Sequence, residues 1–134
     1  MLATAFARSR GATFEDLAGF GLGGFHDGGY HEAWIEVNGA GNVEAFVKDF
    51  VSGREMIYDT CKIVERADAI EIHTDLWFYD ETPEFFFYYD TTPEEFSRYV
   101  VVLGERNARM LGIDLVLEHK AGREKAVVRR SADG

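Results

Sequence analysis

Glu71, His73 and Asp75 occupy alternate positions in one stretch of the chain. In a strand, a carboxylate, an imidazole and a second carboxylate would then stand on one side, about 7 Å apart at successive steps. Such a row can share a proton or a cation, with His73 as acid or base between two acceptors. A solvated acidic strand has the same composition, so the row alone does not establish catalysis. His26-Asp27-Gly28-Gly29-Tyr30-His31-Glu32 gathers the residue types that hold zinc or a related metal. His26 and His31 are its candidate ligands, but their spacing matches no established ligand motif, and a hydrogen-bonded turn uses the same residues. No cofactor is implied.

Two other patterns are set aside on physical grounds. Gly19-Phe20-Gly21-Leu22-Gly23-Gly24 fits the glycine fingerprint of nucleotide sites, yet no strand precedes it and no clear helix follows. The single cysteine, Cys61, falls on an apolar stripe, where a thiol behaves as a small hydrophobe rather than a nucleophile.

The elements that must position these residues follow from hydrophobic periodicity. Thr13 is placed to cap a short helix reaching Phe20, after which closely spaced glycines predict the end of regular structure, so residues 1–30 read as a glycine-rich lead-in to one α+β domain over 31–134. The first residues carry Arg8 and Arg10 without an acid, as transit peptides do, but lack the apolar segment of a signal peptide. From His31 to Asn38, Ala33, Ile35 and Val37 alternate with Trp34, Glu36 and Asn38, which predicts a first strand. Val43, Phe46, Val47, Phe50 and Val51 recur at helical spacing, and the stripe continues through Ile57, Cys61 and Val64. The spacing predicts one long helix, with a break near Ser52-Gly53 and a strand from Glu55 to Val64 as the alternative.

Ala69 to Tyr79 alternates again, with Ile70, Ile72, Thr74, Leu76 and Phe78 inward and Glu71, His73, Asp75, Trp77 and Tyr79 outward. Asp80 to Pro83 turns the chain into a third strand, Glu84 to Asp90. Thr92-Pro93-Glu94-Glu95 opens a second helix that Gly112 ends. Ile113 to His119 is then a strand with Asp114, Val116 and Glu118 outward, and the cation-rich Glu124 to Arg130 reads as a C-terminal edge strand.

The order β-α-β-β-α-β predicts a ferredoxin-like sandwich, an antiparallel sheet with both helices on one face. Its other face would carry Trp34, Glu36, Glu71, His73, Asp75, Trp77, Tyr79, Phe86 and Tyr88. Rings beside carboxylates are the composition of a binding surface. The chain has 134 residues and a net charge of -10, which disfavours nucleic acid and anionic lipid and favours a basic protein partner. With one cysteine and no apolar run long enough to span a membrane, a reducing cytoplasmic setting is expected. The leading expectation is a non-enzymatic protein-binding domain of the small inhibitor or immunity type, or a homodimer formed through the same face. A small enzyme or ligand-binding domain using His73, or a metal at His26 and His31, is the alternative.

Overall fold

The computed structural model describes residues 2–56, 58, 60–76 and 91–130. The N-terminal part is helical: α1 (Leu2–Ser9), α2 (Phe14–Asp27), α3 (Tyr30–Asn38) and α4 (Val43–Glu55). Two expectations are corrected here. The glycine-rich lead-in is helix, because Thr13 and Asp16 close a reciprocal capping box at the start of α2 and the glycines at 19, 21, 23 and 24 are carried inside it. Each glycine costs about 1 kcal/mol against alanine. Ala18 and Leu22, one turn apart, are buried where α2 lies against the later helix, and that tertiary packing outweighs the propensity.

The predicted first strand, His31 to Asn38, is helix α3. Its alternation was genuine, but a nine-residue segment also fits a helical spacing, and it is His31 and Trp34, three apart, that are buried while Val37 is exposed. Gly29 before it and Gly39 after it both have positive φ, so glycines bracket the helix.

Helix α4 starts on Asn42, whose side chain accepts from the Ala45 N–H, and ends at Glu55. The long helix to Val64 does not form: α4 runs two residues past the alternative break at Ser52-Gly53, to Glu55, and of the alternative strand from Glu55 to Val64 only the end is strand, β1 (Cys61–Glu65). Strand β2 (Ala69–Asp75) follows across a short turn, and after residues 77–90, which hold the predicted third strand and lie outside the described residues, come helix α5 (Pro93–Met110), β3 (Leu115–Lys120) and β4 (Arg123–Arg129). Thr92 caps α5 by accepting from the Glu95 N–H, as its sequence requires.

The strands form one antiparallel sheet in the order β1-β2-β4-β3. The class is α+β, but strand order and count among the described residues differ from the ferredoxin-like pattern. The C-terminal segment expected at an edge is an interior strand, because β4 pairs with both β2 and β3. One sheet face is covered: Ile70, Ile72, Leu115, Leu117, Ala126 and Val128 pack with Trp34, Phe46 and Val47 of α3 and α4 and with Ala108 and Leu111 at the end of α5. Helix α5 lies so close to β3 that a Cβ on Gly104 would sit 2.7 Å from Leu117 Cδ1. Glu105 of α5 accepts the Leu117 N–H at 2.9 Å, which occupies a backbone donor on the β3 edge.

Candidate functional site

Alternation along each strand and the pairing register sort the polar residues into cross-strand rows on two faces. On the open face, Lys62, His73, Lys125 and Glu118 form one row across β1, β2, β4 and β3. Asp75, Arg123 and Lys120 form the next, and Val64, Glu71, Val127 and Val116 the row on the other side. The predicted outward parity of Glu71, His73 and Asp75 is what the sheet shows. Glu71 is held by Arg66 at 2.6 Å and lies 3.1 Å from His73 Nε2, and the Arg66 guanidinium, then His73, hold its carboxyl below the usual range. Asp75 turns the other way, accepting from Thr60 Oγ1 at 2.8 Å and facing Arg123 at 3.4 Å. The anticipated carboxylate-imidazole-carboxylate unit is thus a Glu71-His73 pair beside an independently engaged Asp75.

The cations of the C-terminal segment, Lys120, Arg123 and Lys125, are visible in the sequence as a cluster that reads as a solubilising edge; their position opposite these acids, and Lys62 beside them, come from the sheet register. Lys62, Lys120, Arg123 and Lys125 rim an open depression of about 420 Å³ that His73, Asp75 and Glu118 also line. Among the described residues neither Lys62 nor Lys125 forms a close ion pair, although the charge of Lys125 helps Arg66 and His73 to lower the Glu71 carboxyl. A helix through Cys61 to Val64 gives Lys62 no place on the sheet, and an edge position for β4 leaves Lys125 without β2 as a neighbour.

Of the rings expected on this surface, Trp34 alone falls among the described residues, and it is not on the open sheet face. Trp34 is in the core, 8% exposed, with its indole N–H donating to Asp49 Oδ2 at 2.9 Å. Glu36 is exposed on helix α3, apart from the sheet. Trp77, Tyr79, Phe86 and Tyr88 lie outside the described residues. His26 and His31 come within 5.7 Å ring to ring, but His31 is buried and bonded through Nε2 to Asn107 Oδ1 at 2.8 Å. Among the described residues no group of three or more potential metal-binding side chains forms.

The covered face carries a polar row of its own at one end of the sheet: Cys61, Thr74, Glu124 and His119. Arg54 of α4 reaches Glu124 with two nitrogens, at 2.8 and 3.2 Å, and its guanidinium stacks 4.3 Å from the Phe50 ring centroid. His119 Nε2 lies 2.7 Å from Glu124 Oε2, and His119 Nδ1 meets the hydroxyl of Ser97 from α5. Burial pushes the Glu124 carboxyl up, yet the hydrogen bonds from His119 and Arg54 outweigh it and leave it below the usual value of 4.5. Burial also raises the Cys61 thiol, which keeps it a protonated, weakly polar side chain as expected, although on a strand and not a helix. One signal for this row was present in the sequence: His119 shares the inward parity of Leu115 and Leu117, and a two-residue turn after Lys120 sets it opposite Glu124.

Fold and sites together define a small α+β domain with a helix-covered sheet face bearing a buried Arg-Glu-His-Ser chain and an open face bearing paired charges. No family model and no solved structure matches the chain. It is 33% identical over 124 residues to the uncharacterized protein YxnB of Bacillus subtilis (strain 168), covering 92% of this chain and 78% of that protein. The chain belongs to the same family as that protein. No helix among the described residues is long and apolar enough to cross a membrane.

Proposed function

We propose that the chain is a binding domain that takes an acidic segment of a protein partner on the open face of its sheet. The observation that supports this is the ring of Lys62, Lys120, Arg123 and Lys125 around the depression, with Asp75 already engaged by Thr60 and Arg123. The net charge of -10 favours a basic partner for the molecule as a whole. Charges interact over only about 8 Å at physiological salt, however, so a ligand in the depression responds to its rim and not to distant carboxylates. His73, hydrogen-bonded to Glu71, adds a polar ring to the same face. Valines 64, 116 and 127 supply the apolar contact beside the charged rows, and Trp77, next in the alternation after Asp75, is the ring expected to anchor the partner.

Fluorescence anisotropy with a labelled oligo-glutamate peptide tests the reading, with oligo-lysine and inorganic phosphate as comparison probes. Oligo-glutamate is expected to bind, and Lys62→Glu with Lys125→Glu to weaken it by tenfold or more. Preference for oligo-lysine would restore the basic partner that net charge suggests. Binding of phosphate without the peptide would make the depression a small-anion site. A self-dimer lost in the same double variant would assign the face to a second copy of the chain.

A further inference from the structure

Strand β1 ends the sheet on one side, and the ladder fixes which of its backbone groups look outward. The Arg66 N–H donates to the Ala69 carbonyl, and in an antiparallel ladder hydrogen-bonded and non-hydrogen-bonded pairs alternate. Arg66, Val64 and Lys62 therefore bond toward β2, while the N–H and C=O groups of Cys61, Ile63 and Glu65 point away from it. Among the described residues no backbone group bonds to them. The edge on β3 differs, because the outward N–H of Leu117 is taken by Glu105 at 2.9 Å. A row of unmatched donors and acceptors is a template for one more strand.

The side chains along this edge say what that strand would carry. Ile63 shares the covered-face row of Leu117, Ala126 and Ile72, but Ile72 is 0% exposed and Ile63 is 47% exposed. An apolar side chain opposite Ile63 would continue the row. On the open side stand Thr60, Lys62, Val64 and Arg66, with Lys62 exposed. A second copy of the chain, paired about a two-fold axis, would bring the same residues to that side, cations but no acid. Lys62 calls for a carboxylate, which a copy of β1 does not supply there.

We propose that the outer edge of β1 takes the acidic segment of the partner as an added strand, with a carboxylate opposite Lys62 and an apolar side chain opposite Ile63. Neighbouring residues of a strand face opposite sides, so the partner sequence is one in which acidic and apolar residues alternate. Main-chain hydrogen bonds to Cys61, Ile63 and Glu65 hold it, and the side chains select it. Its carboxylate extends the row of Lys62, His73 and Lys125 by one strand. This rests on the acidic ligand proposed above and adds its conformation and its place.

Amide hydrogen exchange of the full chain, read by NMR, tests this with an end-blocked peptide of alternating glutamate and valine. Saturating peptide should slow exchange at Cys61, Ile63 and Glu65 at least tenfold and leave Lys62 and Val64, already in the ladder, unchanged. Methylating the valine nitrogens, which face β1 when valine lies opposite Ile63, should weaken binding at least tenfold. Methylating the glutamate nitrogens, which face away, should weaken it less than threefold, and Lys62→Glu should weaken the unmethylated peptide at least tenfold. Exchange at Ile63 and Glu65 that is already slow in the free protein would show the edge closed within the chain and overturn the proposal. Peptide bound with those amides unaffected, or with valine methylation tolerated, would overturn it and leave an acidic ligand lying across the open face. Failure of both this peptide and oligo-glutamate to bind would overturn the acidic ligand as well.

Discussion

Glu124 remains ionised beneath two helices because Arg54 and His119 both donate to it, and its replacement is the most informative change at the scale of single residues. Removing one partner of a buried pair strands the other, at a cost of about 3–5 kcal/mol. Arg54→Met is expected to fall in that range by urea denaturation; a change below about 1 kcal/mol would show that water already reaches the pair. The sign of the pH dependence follows from the lowered carboxyl. Its stabilising contribution is complete above the unfolded value of 4.5 and is lost as pH falls through the lower folded value. Stability of the wild type should therefore decline on acidification below 4.5 more steeply than that of Glu124→Gln. Equal slopes in the two proteins would contradict the assignment. Trp34 belongs to the same scale: assigned to a strand it was a surface ring, and on α3 it is a core ring whose N–H finds Asp49. Trp34→Ala should cost about 3–5 kcal/mol of stability, and none of its effect on peptide binding should survive correction for unfolding.

Elements were legible where several signals agreed. Thr92, Pro93 and Glu95 mark the start of α5, and alternation gave the inward and outward sides of residues 70–75 in β2 and 115–118 in β3 correctly, while Trp77, Phe78 and Tyr79 lie outside the described residues. They failed where one signal stood alone. The alternation at 31–38 had no turn chemistry to distinguish a strand from a short amphipathic helix, and Gly29 and Gly39 fit caps as well as turns. Gly53 lies two residues inside the end of α4 at Glu55, but the apolar stripe through Cys61 and Val64 ran across that end because a strand begun in the right phase continues the same pattern. Of the candidate site, the acids and His73 were visible in one strand, whereas their cationic partners came from strands whose pairing only the three-dimensional register fixes. Gly21 and Gly23 sit in helical backbone with nothing within 4 Å of an added Cβ, so alanine at each should stabilise by about 0.5–1 kcal/mol. Gly112 has φ +78, and an added Cβ would lie 3.0 Å from Gly41 N. Gly112→Ala should destabilise by more than 1 kcal/mol, at about the level set by left-handed strain plus the contact. Ala121 is the residue in the β3-β4 turn with φ 52, followed by Gly122 at φ 74, the backbone that Asn-Gly prefers. Thermal melts of Gly21→Ala, Gly112→Ala and Ala121→Asn should thus move up, down and up.

For the whole molecule, the sheet separates two kinds of polar chemistry by its thickness. Beneath the helices, Arg54, Glu124, His119 and Ser97 are bonded to one another; on the open side, Lys62, Lys125, Lys120 and Arg123 surround a depression in a protein of net charge -10. Long-range repulsion and local attraction therefore oppose each other for an acidic ligand, and salt weakens both, but over different distances. Between about 20 and 150 mM salt the distant repulsion is screened first, so oligo-glutamate association should hold or quicken before it weakens at higher salt. A basic ligand steered by net charge should slow throughout that range.

The most direct measurement of the central claim is a backbone amide NMR titration of the full chain with oligo-glutamate. Shifts concentrated at Lys62, His73, Lys125 and Lys120, and absent in the Lys62→Glu, Lys125→Glu variant, are the predicted result. Shifts confined to the helices, or a response to oligo-lysine alone, would contradict it.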